Sequence, residues 1–337
     1  MREGHGDDAY KYPHITSNFS SNVYDSVPHD GLFAHLAAQL PAITHYPEPE
    51  PFSLEKALAA KLRLEAEEVC VTNGATEAIY LLAATYAESV SAVWMPTFSE
   101  YADACRLHRH RILPFYRLED LPREARMAWI CNPNNPTGEV RPKALLRECI
   151  ERHPEQLFIL DQSYDGFTFQ PVFSPREAAS LPNVVVIHSF TKQFAIPGLR
   201  LGYLTARPSL LEEVRAHRMP WSVNQLAIEA GQYLLAHESD YTLDLQALLA
   251  ERERVSQALT ALGVVEVWPS DTHFLLARLR MGRAAALKDY LASEHGILIR
   301  DASNFQGLDG GFFRIAVQTP AENDCLIQAI ALWIASM

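Results

Sequence analysis

Val184-Val185-Val186-Ile187-His188-Ser189-Phe190-Thr191-Lys192 is the stretch from which the fold is read. Four successive β-branched residues suit a strand with both faces covered, because a one-sided strand would alternate apolar and polar positions. The run passes into Ser189, Thr191 and Lys192, and then into Pro197-Gly198-Leu199-Arg200-Leu201-Gly202-Tyr203. A strand that ends in a cluster of polar side chains is the unit to look for elsewhere in the chain.

Four more such units lie upstream. Candidate strands are Val69 to Thr72, Ala92 to Met95, Met127 to Cys131 and Leu157 to Leu160, together with Val184 to His188. Helix-like segments such as Thr76 to Tyr86 and Pro142 to His153 alternate with them, each entered through turn residues. That alternation predicts an α/β fold, a mostly parallel sheet with helices on both faces. After Trp221 the pattern changes to a long helical stretch, Gln225 to Leu262, and a strand-helix-strand tail from Val264 to Met337, which reads as a second, smaller domain. Tyr46-Pro47-Glu48-Pro49-Glu50-Pro51 cannot form a helix interior and marks a connector ahead of the sheet domain.

Composition narrows the function classes. The 48% apolar and 21% charged residues are those of an ordinary globular chain, and 337 residues allow about two domains. A formal charge of −12, with no local block of Lys or Arg, disfavours nucleic acid and acidic membranes as partners. An anionic substrate must therefore meet a few positioned arginines. No apolar run is long enough to span a bilayer, and the polar Met1 to Tyr12 lacks the apolar region of a secretory signal, so a cytoplasmic location is expected. Five scattered cysteines without a C-x-x-C pair read as reduced, mostly buried thiols. His108-Arg109-His110 has no further ligand at metal spacing and reads as a solvated loop or helix end, so no metal is expected.

In open parallel sheets ligands bind beyond the carboxyl ends of the strands. Four strand ends carry coherent chemistry here. Asn73-Gly74-Ala75-Thr76-Glu77 follows the first strand and opens a helix whose free N–H groups can hold a phosphate. Cys131-Asn132-Pro133-Asn134-Asn135-Pro136-Thr137-Gly138 is a proline-fixed turn that presents asparagines at the sheet edge. Asp161 and Tyr164 follow the next strand; a carboxylate there can keep a pyridine nitrogen protonated, and a phenol can bond the ring's oxygen. Lys192, desolvated at the same edge, would be shifted toward the neutral amine that Schiff-base chemistry needs, with Ser189, Thr191 and Arg200 available for a phosphate. Each residue alone reads as a cap, a turn or a surface charge; the set carries the reading. Ser189-x-x-Lys192 also matches the S-x-x-K pattern of serine acyl-transfer enzymes, whose K-T-G companion is missing. A third reading is a ligand-binding regulator without catalysis.

These strings together resemble the fold-type I pyridoxal-phosphate enzymes of the aspartate aminotransferase superfamily, from Phe19 to Asn323. Pro96-Thr97-Phe98-Ser99-Glu100-Tyr101, Pro220-Trp221-Ser222-Val223-Asn224 and Arg300-Asp301-Ala302-Ser303-Asn304-Phe305 add to the likeness. Within the superfamily the last two favour the L-threonine O-3-phosphate decarboxylases of cobalamin biosynthesis over the related histidinol-phosphate aminotransferases. The resemblance implies a seven-stranded, mostly parallel sheet in a large domain and a smaller α+β domain. The implied boundaries are an N-terminal arm at 1–45 that joins the small domain, a large cofactor-binding domain at 46–225, and an interdomain helix with the C-terminal small domain at 226–337.

The resemblance further implies pyridoxal 5'-phosphate as cofactor, held as a Schiff base on Lys192. Asp161 would pair with the ring nitrogen, Asn135 and Tyr164 with the ring oxygen, and Tyr101 would stack on the ring face. Ala75, Thr76, Ser189, Thr191 and Arg200 would hold the cofactor phosphate. Tyr46 matches a tyrosine that enters the neighbouring subunit's site, which implies a homodimer. For the substrate, Arg314 in Phe313-Arg314-Ile315-Ala316 would take the carboxylate, Arg300 would be shared between carboxylate and phosphate, Asn135 would also touch the substrate, and His5 and Asn22 would reach its phosphate. A single Gly6 follows His5 where the family has paired glycines. The implied reaction is decarboxylation of L-threonine O-3-phosphate to (R)-1-amino-2-propanol O-2-phosphate, with Lys192 returning a proton to Cα; the alternative is transamination of histidinol phosphate with 2-oxoglutarate.

Overall fold

A computed structural model describes residues 7–24 and 26–336. The strands in chain order are β1 (Ser17–Asn18), β2 (Val69–Thr72), β3 (Val90–Trp94), β4 (Arg111–Phe115), β5 (Met127–Cys131), β6 (Leu157–Asp161), β7 (Val184–Ser189), β8 (Gly202–Ala206), β9 (Val265–Val267), β10 (Phe274–Leu279), β11 (Ile297–Leu298), β12 (Arg300–Asp301) and β13 (Phe312–Ala316). Seven of them form one sheet in the order β2-β8-β7-β6-β5-β3-β4, and β8 alone runs antiparallel to its neighbours.

Side chains leave a strand alternately to its two faces. Val93, Trp129, Ile159 and Ile187 accordingly enter one core, while Ala92, Ile130, Leu160 and Val186 enter another on the opposite face. Continuous apolar runs are required because both faces are covered. The two strands that the apolar pattern alone passes over have physical reasons for it. β4 is an edge strand, partly exposed and interrupted by Pro114; β8 begins at Gly202, inside a stretch that reads as a turn.

The antiparallel course of β8 matters for the site. Gly202, at its start, pairs with Thr72 at the end of β2 and with Ser189 at the end of β7. Arg200, just before β8, therefore arrives at the same sheet edge as the residues that follow the parallel strands. A Cβ on Gly202 would lie 2.6 Å from the Ala75 amide nitrogen, so only glycine permits this junction.

The C-terminal region forms a second, antiparallel sheet, β12-β13-β10-β9, with its own core around Phe274, Phe313, Ile315 and Leu326. Phe19 belongs to that core, and β1 pairs with β11, which ties the N-terminal arm to this region. The long helix expected over Gln225 to Leu262 is instead two helices, Gln225–Ala236 and Leu245–Ala261, separated by a 3-10 turn at Glu238–Tyr241. Asp244 restarts the chain as an N-cap, accepting a hydrogen bond from the Ala247 amide. His108 does cap the helix Ser99–Leu107, but His110 is buried and bonded to Ser91 and the Ala83 carbonyl rather than solvated. No three His, Cys, Asp or Glu side chains converge as metal ligands among the described residues. Cys70, Cys105, Cys131 and Cys149 are buried free thiols, whereas Cys325 is exposed. No described helix is long and apolar enough to cross a membrane.

Candidate active site

One cavity lies where the edge of the large sheet meets β12 and β13. Its chemistry is easiest to follow from the strand ends inward. β2 ends at Thr72, and the chain enters the helix Gly74–Thr85 through Gly74, at a φ of 79°. A side chain there would collide with the Arg200 guanidinium, 2.7 Å from the ideal Cβ position. Ala75 and Thr76, in the first turn, line the cavity with Ser189, Thr191 and Arg200. The N–H groups of a first helical turn have no partner within the helix. Free amides, hydroxyls and a guanidinium at one place make an anion cradle.

The turn after β5 is fixed by its own asparagines. Asn132 both donates to the Arg141 carbonyl and accepts from the Arg141 amide, while Asn134 bonds Thr97, Thr137 and the Pro96 carbonyl. Asn135 is left to face the cavity, where its Oδ1 accepts a hydrogen bond from Arg314.

At the end of β6, Asp161 is almost fully buried and accepts three hydrogen bonds. The Tyr101 hydroxyl donates to Oδ2 at 2.7 Å; the Ser163 hydroxyl and amide donate to Oδ1 at 2.6 and 2.9 Å. Burial raises the Asp161 carboxyl above its ordinary range, and these donors pull it back toward ionisation. Tyr101 is enclosed, its ring stacked on Trp129. Burial also pushes the Tyr164 phenol up to about 12, with Arg314 opposing, so it stays a neutral donor at neutral pH.

Lys192 follows β7 in the short helix Phe190–Gln193. Burial of its amine, reinforced by Arg314 and Arg200, lowers it to about 7, against the opposing pull of Asp7 and Asp161. A substantial neutral fraction at neutral pH makes it a nucleophile. Its Nζ donates to the Ser21 carbonyl at 2.6 Å.

Arg300 and Arg314 form the facing wall. They are Cα partners across β12 and β13, and both are buried. Like charges directly opposite one another disfavour a strand pair by themselves. Burial lowers both guanidiniums to about 10, which still leaves them charged at neutral pH. Arg300 donates to Asn304, and Arg314 to the Ser20 carbonyl as well as to Asn135.

Twelve of the residues singled out from the sequence thus line a single cavity, and two of the described ones, Tyr46 and Asn22, do not. Tyr46 is exposed, its ring 5.4 Å from that of Trp221. Asn22 is fully buried, beside Tyr164 and near His273, a ring that burial lowers to about 3. His5 lies outside the described residues. Sequence reasoning missed Ser163, although a hydroxyl two residues after an aspartate is a recognisable local acceptor motif. It also missed the Ser20 and Ser21 carbonyls, which carry no side-chain signal.

A family model described as aminotransferase class I and II matches residues 15–330. Threonine-phosphate decarboxylase of Salmonella typhimurium is 31% identical over 93% of this chain and 90% of its own length. Histidinol-phosphate aminotransferase of Desulfitobacterium hafniense is 31% identical over 89% of this chain and 87% of its own. Among solved structures, L-threonine-O-3-phosphate decarboxylase from Porphyromonas gingivalis superposes with a TM-score of 0.92 at 38% identity, covering 95% of this chain and 99% of that one.

Proposed function

The chain belongs to the aminotransferase class I and II family, and from that premise we propose that it is a pyridoxal-phosphate-dependent decarboxylase of L-threonine O-3-phosphate. The observation that carries the substrate class is the pair of buried guanidiniums, Arg300 opposite Arg314, facing the same cavity as Lys192. Two permanent planar charges suit a substrate with both a carboxylate and a phosphate.

The donor set fits the cofactor. Lys192 offers an amine lowered into the neutral range for the aldehyde, and Asp161 a buried carboxylate for the ring nitrogen. We assign Asn135 and Tyr164 to the ring oxygen, Tyr101 to the ring face, and Ala75, Thr76, Ser189, Thr191 and Arg200 to the phosphate. When bound, pyridoxal 5'-phosphate supplies an electron sink for the pair released as a bond to the substrate's α-carbon breaks. The residues decide which bond that is. Arg314 would bind the carboxylate and Arg300 would be shared between carboxylate and phosphate, together setting the substrate's rotation so that the bond from Cα to the carboxylate breaks and CO2 leaves. Lys192 would return a proton to Cα. Asp161, whose three donors oppose the upward push of burial, would pair with the ring nitrogen and favour charge flow toward it.

The reading extends to assembly. Phe33, Ile43, Tyr46, Phe52, Met219 and Trp221 are large apolar side chains left exposed, which supports a homodimer with Tyr46 entering the partner's site. Four buried free thiols suit a reducing, cytoplasmic setting. The test offers purified protein L-threonine O-3-phosphate alone, and separately histidinol phosphate with 2-oxoglutarate. CO2 release without a keto acid is the expected result; turnover only with the keto acid would make it an aminotransferase instead. Mixing inactive Lys192→Ala and Tyr46→Ala chains should restore part of the activity through mixed dimers.

A further inference from the structure

Asp161 is held by a neighbour that the reaction as described does not use. Ser163 sits between Asp161 and Tyr164 and lines the cavity. It donates twice to one carboxylate oxygen, Oδ1, through its hydroxyl at 2.6 Å and its amide at 2.9 Å. The other oxygen, Oδ2, receives the Tyr101 hydroxyl at 2.7 Å. A carboxylate has about four lone-pair positions, so Oδ1 is close to saturated and Oδ2 retains capacity. The side chain sits at a strand end, where its rotation about χ2 is not fixed by backbone alone.

We propose that Ser163 is a positioning residue for the cofactor: by occupying Oδ1 it fixes the rotation of the Asp161 carboxylate and leaves capacity on Oδ2 for the ring nitrogen. The inference rests on the pyridoxal-phosphate reading above. The other titratable groups around Asp161 are Tyr101, Cys131, Tyr164, His188 and Lys192. Burial pushes Tyr101 and Cys131 upward and Tyr164 to about 12, so these three stay neutral in the acid range. His188 lies 3.7 Å from Asp165 and stacks on Tyr203. Ser163 is thus a hydrogen-bond donor to Asp161 that can be deleted without changing the charge of any group.

The experiment follows cofactor retention in the holoenzyme, read from its visible absorption, as the pH is lowered. Losing one charge-assisted hydrogen bond should raise the acid midpoint of release by roughly one pH unit in Ser163→Ala. Ser163→Thr should return the midpoint to the wild-type value, and Ser163→Cys, a weaker donor of similar size, should fall between. In an Asp161→Asn background the Ser163→Ala change should add no further shift, because the group it acts through is gone. An unmoved midpoint in both Ser163→Ala and Ser163→Cys overturns the inference, as does an equal shift in the Asp161→Asn background. A wild-type chain that takes up no cofactor overturns the functional reading itself, whereas a loaded wild type with an unmoved Ser163→Ala overturns this inference alone.

Discussion

On the large-sheet wall of the cavity, the buried carboxylate of Asp161 has three donors in place, while on the small-sheet wall Arg300 and Arg314 are partners across a strand pair. The first wall is internally satisfied and holds its shape without a ligand. The second sets opposite one another two guanidiniums that burial lowers, and a bound anion would favour their charged forms. One wall is organised around a resident group, the other around a visitor. Under the proposed function the first wall would hold the cofactor and the second the substrate.

Substitutions on the two walls should therefore fail differently. Lys192→Ala should show the largest effect, a loss of about three orders of magnitude or more in turnover, with no change in the far-UV circular dichroism. Arg314→Lys keeps the charge but loses the planar fork, and kcat/KM for the phosphorylated amino acid should fall about 100-fold with cofactor content unchanged. Loss of cofactor in that variant would break the separation of the walls. The rate at which cofactor-free protein captures pyridoxal 5'-phosphate should rise with pH to a half-maximum near the value of about 7 given to Lys192, because only the neutral amine attacks; at one unit below, the rate should be about tenfold lower than the plateau. A midpoint near the ordinary lysine value would show that the amine is not desolvated. Gly202→Ala, which forces a Cβ against the Ala75 amide, should weaken cofactor affinity by several-fold while leaving KM little changed, measured by equilibrium titration of stripped protein.

The two walls also differ in how well they could be read from the sequence. Residues after parallel strands announce themselves, since a short apolar run followed by Asn73-Gly74, Asn132-Pro133 or Asp161 is a local pattern with a known spatial outcome. Arg200 was accessible only through its motif; its arrival at the same edge depends on β8 running backwards, which no periodicity reveals. Arg300 and Arg314 belong to short strands whose register is set by tertiary packing. Tyr46 and Asn22 differ in what surrounds them, one exposed and the other fully buried, and neither setting is visible in the motif that carries the residue. The break at Glu238–Tyr241 was hidden because flanking helical residues mask a short interruption, although Asp244 was a legible cap.

Four cysteines are enclosed in the large-sheet half, and Cys325 stands exposed on the helix Pro320–Ala335 of the other. This distribution gives the native chain a ready attachment point for a thiol-directed fluorophore, on the side that carries the arginines. Energy transfer from such a label to a bound cofactor would report the distance between that half and the large sheet, without removing a single residue.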